Sequence, residues 1–250
     1  MQRLPHTLNV CPAQDIDVRQ IFLKTNRMLC TPQMIAHGDL DSISTEDLKI
    51  LRTVESWIRA FMAKEVRKVE GKVEPVCPFV PPALDRQLLL LSVAKPVEPD
   101  STEAVYREMK LFQEIFQSFG LRKSPMSVLK SLVVIFPETS GHVILAAVDP
   151  KQTPLKTELL QNDIMIGEFF PTCPLHASWD PSFFPLQSPV PFYALRSFIE
   201  TDWRFIHNER EWRRIYKSRF GEPPEGDQHK IPRRLVRLLN RVGKRKLRSD

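Results

Sequence analysis

The amino-acid sequence predicts an α+β fold: a single main domain built on a mixed sheet of about four or more strands, with flanking helices and a basic C-terminal helix. Two amphipathic patterns, 44–69 and 102–119, repeat apolar residues every three or four positions and predict long helices. Three short apolar runs, 87–94, 131–137 and 164–169, have the length and residue types of interior strands. This order of helices and strands indicates an α+β or loosely wound α/β domain.

The first half of the chain is predicted in order as follows. Apolar spacing predicts a helix over 15–29, and Ser44 with Asp47 three residues later marks the start of the next helix. The four prolines within 75–82 exclude a helix and a central strand, so this stretch is predicted to be a rigid, extended loop. The strand over 87–94 and the helix over 102–119 follow.

The second half alternates between the two element types. After the strand at 131–137, the run 142–148 fits either type and a helix is favoured. Thr153-Pro154 opens a short helix, because proline is tolerated in a first turn. The strand at 164–169 comes next, and apolar spacing then predicts helices over 190–198 and 202–216.

The positive net charge of +6 lies at the C-terminus. Residues 229–250 contain nine Lys or Arg and one acidic residue, whereas the other 228 residues carry 27 basic and 29 acidic groups, about −2. The folded body is therefore not expected to bind nucleic acid. Within the tail, 232–242 places leucines and arginines on opposite helix faces, which suits an anionic membrane surface or an acidic partner. A solvated helix packed on the body is the alternative.

Composition is that of an ordinary folded protein, with 42% hydrophobic and 26% charged residues. No apolar run reaches eighteen residues and the N-terminus lacks a secretory pattern, so a cytoplasmic location is expected. The predicted division is an N-terminal arm and short helix at 1–40, the main domain at 41–220, and a proline- and glycine-containing hinge with the basic tail at 221–250.

The four cysteines are far apart, and none forms a CxxC pair, which argues against a disulfide framework and a structural zinc ribbon. Cys11, Cys77 and Cys173 are each followed by proline, whereas Cys30 is not. The apolar strand at 164–169 ends before Pro171 and leads into a loop that carries Cys173 and His176. This aromatic, proline-stiffened loop is predicted to form the wall of a pocket.

Three segments together, 77–84, 165–171 and 188–196, resemble an uncharacterised bacterial family, a domain of unknown function whose members often look like parts of natural-product operons. The family itself implies no particular activity. The family pattern has histidine where this chain has Phe170; either His176 replaces it or no residue does. In the order and spacing of its elements the chain is also similar to the YqcI/YcgG-type haem-dependent N-oxygenases.

A haem site is predicted from Cys77, Cys173 and His176, because a Cys-Pro loop suits thiolate ligation and haem requires an axial ligand in an apolar cavity. This requires that the loops at 77–84 and 164–176 meet around one hollow. Three alternatives stay open: the cysteines are small buried hydrophobes and His176 a surface residue, the three residues bind a metal with Glu168, or Cys173 and His176 form a nucleophile pair.

Glu168 and Arg196 are the predicted catalytic residues. Strand alternation puts Glu168 on an apolar face, where desolvation would raise the pKa of the carboxyl and make it a candidate acid or base. Arg196 is predicted to pair with Glu168 or to anchor a substrate carboxylate. The alternative is a structural ion pair of Arg196 with Glu168 or Asp202.

The function predicted from the sequence is a biosynthetic oxidoreductase, a haem-dependent oxygenase in its sharpest form, that acts on a small amine-containing metabolite. The alternative is a non-catalytic accessory protein that recognises a carrier or partner protein through the aromatic loop and the basic tail.

Overall fold

A four-stranded mixed sheet organises the computed structural model, which describes residues 18–38, 43–69, 72–119, 125–177 and 180–223. The strand order is β3-β4-β6-β5; β3 and β4 are parallel, and β6 is antiparallel to both its neighbours. The α+β class is thereby confirmed. The strands are β1 (Val66–Val69), β2 (Lys72–Pro75), β3 (Leu89–Val93), β4 (Ser131–Ile135), β5 (Ile164–Phe169) and β6 (Phe192–Ser197).

Helices cover both faces of this sheet. They are α1 (Val18–Thr25), α2 (Pro32–His37), α3 (Thr45–Trp57), α4 (Val80–Asp85), α5 (Thr102–Ser118), α6 (Gly141–Ala146), α7 (Leu155–Gln161), α8 (Trp203–Ile206) and α9 (Arg210–Phe220). A π-helical segment, Ile58–Lys64, continues α3, and short 3-10 turns occupy Pro125–Leu129 and Glu200–Asp202. None of the described helices is long and apolar enough to cross a bilayer.

Serine caps set the start of several helices. The Ser44 hydroxyl accepts a hydrogen bond from the Asp47 backbone N–H at 3.0 Å, as the sequence predicts for the start of α3. Ser101 accepts from Ala104 at 3.3 Å in the same way at α5. The amphipathic faces of these two helices then bury their apolar stripes against opposite sides of the sheet.

The two sides of the sheet hold separate cores. The α5 face packs α5, α6 and α7 on the side chains of Leu90, Leu132, Val134, Ile166 and Leu195. The α3 face packs α2, α3 and α4 on the alternate strand residues, Leu89, Leu91, Val133, Ile135, Phe169 and Phe192. A third cluster, Leu160, Met165, Phe198, Ile206, Trp212 and Tyr216, lies beneath α9.

Two sequence predictions fail between α3 and β3. The helix predicted over 44–69 ends in the π-helical segment, and an antiparallel β1–β2 hairpin replaces its last turn. The stretch predicted to exclude a helix contains α4, which begins at Val80 with proline in its first turn. Pro81 and Pro82 are compatible with the helix because first-turn N–H groups need no intrahelical acceptor.

Two further predictions fail after β5. Residues 192–197 form the strand β6 and not a helix, because pairing on both edges with β4 and β5 overrides the helical spacing of their apolar residues. The helix predicted over 202–216 is divided into α8 and α9 by a turn at 207–209. The strands at 89–93, 131–135 and 164–169 and the helices α5, α6 and α7 are confirmed. The predicted arm at 1–14 and the tail beyond residue 223 lie outside the described residues.

Candidate functional site

The two cysteines predicted to share a pocket belong to different cores. Cys173 is fully buried, at 0% exposure, in the cluster on the α5 face. Cys77 is partly buried and packs against the cluster on the α3 face. The loops at 77–84 and 164–176 therefore do not enclose one hollow between these two thiols, because the sheet separates the cores to which they belong.

Glu168 and Arg196 also lie on opposite faces. In the β5–β6 ladder, Glu168 lies opposite Tyr193 and Met165 lies opposite Arg196. Residues directly opposite each other point to the same face of the sheet, whereas successive residues of one strand point to opposite faces. Because Met165 and Glu168 are three positions apart, Glu168 and Arg196 point to opposite faces. Glu168 points inward, at 8% exposure, as the sequence predicts. Burial raises the pKa of Tyr193 and of Cys173, and the negative charge of Glu168 raises both further. The Leu175 backbone N–H lowers the pKa of Cys173. The predicted Glu168–Arg196 pair is not formed.

His176 is an exposed loop residue. Its Nδ1 lies 2.9 Å from the Ala177 carbonyl oxygen, and its ring is edge-on to Phe184 with centroids 6.5 Å apart. No hydrogen bond joins the imidazole to the Cys173 thiol within the described residues, so a Cys173–His176 nucleophile pair is not assembled.

Aromatic rings of the predicted pocket wall contribute to packing. Phe169 stacks on Phe192 at 4.5 Å between centroids, and Trp57 meets both rings edge-on. Phe170 turns to the other face and covers Gly141 so closely that a β-carbon there would lie 2.4 Å from its ring. The rings of Phe169 and Phe170 therefore fill the two cores and are not free to line a cofactor cavity.

The haem site predicted from Cys77, Cys173 and His176 does not fit this arrangement as a set. The three side chains belong respectively to the α3 face, the α5 face and an exposed loop. Across the described ranges, no group of three His, Cys, Asp or Glu side chains is placed to hold a metal ion. Among the three, Cys77 is the residue whose thiol pKa is also lowered by nearby positive charges, although burial keeps it raised.

The sulfur of Cys77 lies where α4 begins, in the loop that follows β2. Burial raises the pKa of the Cys77 thiol, and the backbone N–H groups of Phe79 and Val80 offset part of this rise; the Val80 N–H donates to the Cys77 carbonyl oxygen at 3.2 Å. The positive charges of Arg196 and Arg204 lower the pKa of Cys77 as well. These N–H groups and guanidinium charges favour the thiolate, but burial is the larger effect, so the pKa of Cys77 stays raised.

Arg196 is held in place by an internal clamp. Its Nη1 and Nη2 donate to the two carboxylate oxygens of Asp202 at 2.8 and 2.5 Å, and Nη1 also donates to the Ser197 carbonyl. Asp202 is completely buried and accepts a further hydrogen bond from the Ile199 backbone N–H at 3.0 Å. Burial alone would lower the pKa of Arg196, and Asp202 outweighs this, so its pKa is raised. The Asp202 alternative for this arginine is the one observed.

Arg204, on α8, was not singled out by the sequence analysis. Burial lowers the pKa of Arg204, although the Asp202 carboxylate opposes this. Its buried Nε has no hydrogen-bond partner in the described part of the chain, and its guanidinium lies 4.9 Å from the ring centroid of Phe205. The available signal was an arginine two residues from Asp202 in an otherwise apolar and aromatic segment.

We define Cys77, Arg196, Asp202 and Arg204 as the thiol–arginine site. It combines two positive groups with one carboxylate, so a positive charge is left over when the thiol is neutral. A guanidinium with an unused N–H favours carboxylate or phosphate ligands. The charge of the site therefore suits an anionic group near the partly buried Cys77.

A separate surface depression of about 350 Å³ runs along α3. It is lined by Thr45, Leu48, Lys49, Arg52, Thr53 and Ser56, none of which was predicted as a site residue.

Comparison with known proteins gives one match. A family model described as "Domain of unknown function (DUF6875)" matches residues 51–230, which include every residue of the thiol–arginine site. No curated protein and no solved structure matches the chain.

Proposed function

The chain belongs to the DUF6875 family of domains of unknown function, and we propose that it is an enzyme that binds the anionic group of a small metabolite at the thiol–arginine site. The reaction class we propose is the one predicted from the sequence, oxidation or reduction of an amine-containing metabolite in a biosynthetic pathway. Such a metabolite with a carboxylate, an amino acid or a close derivative, suits the charge of this site.

One observation carries the proposal. Cys77 is a partly buried residue whose thiol lies in the electrostatic field of Arg196 and Arg204, and this field opposes the rise that burial causes in its pKa. Titratable groups perturbed by a specific charged partner concentrate at functional sites. Cys30, in contrast, is a buried thiol whose pKa burial alone raises to about 12, as expected for a structural residue.

The two arginines have different roles in this proposal. Arg196 is clamped by Asp202 and supplies a fixed positive charge. Arg204 has the unsatisfied Nε and is the group that contacts the anion of the ligand. The lowered pKa of Arg204 fits a group that gains from a bound anion, because burial without full compensation makes its charged form costly.

Haem stays a prediction for this protein. Of the three predicted ligands, Cys77 is the one near the positive charges of Arg196 and Arg204, which oppose the rise that burial causes in its pKa. Bound haem would supply redox chemistry that no side chain has, and Cys77 would be the residue to hold its iron. No role in that ligation is assigned to Cys173 or His176.

The experiment is ligand protection of Cys77 against iodoacetamide, read by peptide mass mapping. The chain carries Cys11→Ser, because Cys11 lies outside the described residues. Single amino acids, simple carboxylates and phosphorylated metabolites are added in turn. We expect at least one carboxylate-bearing amine to slow alkylation about tenfold, and Arg204→Gln to remove the protection while Arg204→Lys retains part of it.

Arg107→Gln is the matched control, since Arg107 is an exposed arginine on α5 that pairs only loosely with Glu103 at 3.7 Å. The proposal fails if no compound protects Cys77, or if protection persists unchanged in Arg204→Gln. Protection without turnover of the protecting compound, with or without added haemin, would favour the accessory-protein alternative over an enzyme.

A further inference from the structure

The two faces of the main sheet differ in how completely their apolar residues are covered. In the described part of the chain, five partly buried apolar residues pack against the cluster on the α5 face, whereas sixteen pack against the cluster on the α3 face. Each partly buried residue leaves some apolar surface in contact with water. The α3 side, on which Arg196 lies, therefore carries the larger share of the apolar surface that is available to a ligand.

Two of these sixteen residues extend from Cys77 along α4. The Val80 N–H donates to the Cys77 carbonyl oxygen at 3.2 Å, so α4 begins directly beside this residue. Leu84 lies four positions after Val80, and residues at this spacing project from the same side of a helix. Both side chains are partly buried against the α3-face cluster. One side of α4 thus continues the thiol–arginine site as apolar surface.

The 3-10 turn at Pro125–Leu129 adds two more of these residues. It contacts both α4 and β6. Ser197, the last residue of β6, donates from its hydroxyl to the Ser127 carbonyl oxygen at 2.9 Å and so holds the turn against this strand. Met126 and Val128 flank Ser127 in the chain, and both are partly buried against the same cluster. The turn therefore places two apolar side chains next to α4 and to the charged end of β6.

We define Val80, Leu84, Met126 and Val128 as the apolar border, and we propose that it binds an apolar substituent of the ligand whose anionic group Arg204 contacts. This inference rests on the proposed function, since it takes the anionic group to lie at the thiol–arginine site. A positive group next to accessible apolar surface matches a ligand with an anionic end and an apolar end. The substrate class is therefore carboxylates with an aliphatic or aromatic side chain, leucine-like amino acids among them, and not small or doubly charged acids.

The composition of the apolar border also predicts how the site selects its ligand. Burying one methylene group favours binding roughly three- to fourfold. Met126 has an unbranched, flexible side chain, which adapts to ligand groups of different shape. Selection should therefore follow the amount of apolar surface on the ligand more than its exact shape. A site that recognises charge alone would bind equally charged ligands with equal affinity.

The test is isothermal titration calorimetry of the full chain with alanine, 2-aminobutyrate, norvaline and norleucine, a series that adds one methylene group at a time at constant charge. We expect the Kd to fall roughly threefold at each step, and the heat-capacity change of binding to become more negative along the series. Val80→Thr and Val128→Thr each replace a methyl group by a hydroxyl of similar size. Each should weaken norleucine binding about threefold and change alanine binding less than about twofold.

Val97→Thr is the matched control, because Val97 is 99% exposed and follows β3, whereas α4 precedes it. It should bind the whole series like the parent chain, and the thermal midpoint of each variant shows whether the chain is folded.

The outcomes separate this inference from the proposed function. Equal affinity along the series, with binding lost in Arg204→Gln, would overturn the inference and leave the proposed function standing. A chain-length dependence that both border variants retain in full would also overturn it, because the substituent would then lie elsewhere. If no member of the series binds, the inference fails, and the wider set of compounds tested against Cys77 alkylation decides the proposed function.

Discussion

Cys77 and Cys173 share a sequence context and differ in almost everything else. Each is followed by proline in an aromatic segment, yet the sheet places them in separate cores. Cys173 is sealed, and burial and the negative Glu168 raise the pKa of its thiol against the lowering by the Leu175 N–H. Cys77 is partly exposed, and two N–H groups and two arginines oppose the rise that burial causes in its pKa. The dipeptide alone therefore does not determine the electrostatic surroundings of the thiol, because other residues of the fold place charges of opposite sign near Cys77 and Cys173.

The two faces also differ in how they use polar groups. On the α5 face the Tyr193 hydroxyl donates to the Ile144 carbonyl at 2.7 Å, a hydrogen bond that satisfies a buried group and serves packing. On the α3 side, Arg196 and Asp202 form a charged pair at the end of β6 with a second arginine beside it. Substitutions on the tightly packed α5 face and at the charged pair on the α3 side should therefore lower the free energy of unfolding by different amounts.

The largest expected effect is on the charged side. Asp202→Ala leaves Arg196 partly buried without its counter-ion and removes the acceptor of the Ile199 N–H. Removing one partner of a buried pair costs roughly 3 kcal/mol or more of unfolding free energy. Urea unfolding followed by circular dichroism measures the loss.

Glu103→Ala is the control for that substitution, because its pair with Arg107 is exposed and should contribute well under about 1 kcal/mol. If Asp202→Ala were as stable as Glu103→Ala, the clamp would not hold Arg196 in place.

The next effect tests the packed side. Gly141→Ala puts a β-carbon 2.4 Å from the Phe170 ring, and the ring is buried in the core with little room to move. The usual gain from replacing helical glycine by alanine, about 0.5–1 kcal/mol, is outweighed by an overpacking cost of roughly 1–3 kcal/mol. We expect a net loss of about 1–2 kcal/mol in urea unfolding.

A double-mutant cycle with Phe170→Leu sharpens this prediction. The smaller side chain should remove the clash, so that Gly141→Ala costs little or becomes stabilising in that background. Equal cost in both backgrounds would mean that the ring is not what Gly141 accommodates.

The smallest effect concerns the pH dependence of the Cys77 thiol. Arg204 lowers the pKa of Cys77, so Arg204→Gln should raise it further and reduce the thiolate present at neutral pH. Alkylation of Cys77 should slow a few-fold, with its pH profile moved to higher pH, whereas Arg204→Lys should change little. A profile moved to lower pH would contradict the assigned direction of the field.

The sequence predicts three of the four strands of the main sheet and fails for β6, which lies between β4 and β5. β3, β4 and β5 are continuous apolar runs whose length and residue types indicate interior strands, and α5 has an unbroken amphipathic pattern. The apolar residues of β6 also fit a helical spacing, so the sequence predicts a helix there. Only pairing with β4 and β5 makes this segment a strand. The four prolines of 75–82 predict a loop without a helix, but two of them, Pro81 and Pro82, occupy the first turn of α4.

For the site, the sequence predicts individual functional residues such as Cys77 and Arg196, but it does not predict which of them lie close together in the fold. The inward direction of Glu168 follows from strand alternation and is observed. Whether Arg196 can pair with Glu168 depends on the register of β6 against β5 and on the face to which Arg196 points. The sequence analysis predicts a helix at this position, so it provides neither. The charge of Arg204 acts on Cys77 only because the fold brings together residues more than a hundred positions apart, which no local pattern encodes.

The contrast between the two thiols is tested by the rate at which iodoacetamide labels each cysteine of the native Cys11→Ser chain, resolved by peptide mass mapping. We expect Cys77 to be labelled at least about a hundredfold faster than Cys173 and Cys30, because the two buried thiols react only after local unfolding. Labelling of Cys173 as fast as Cys77 would show that the α5 face is open. Labelling of neither in the folded chain would show that the thiol–arginine site is closed to ligands.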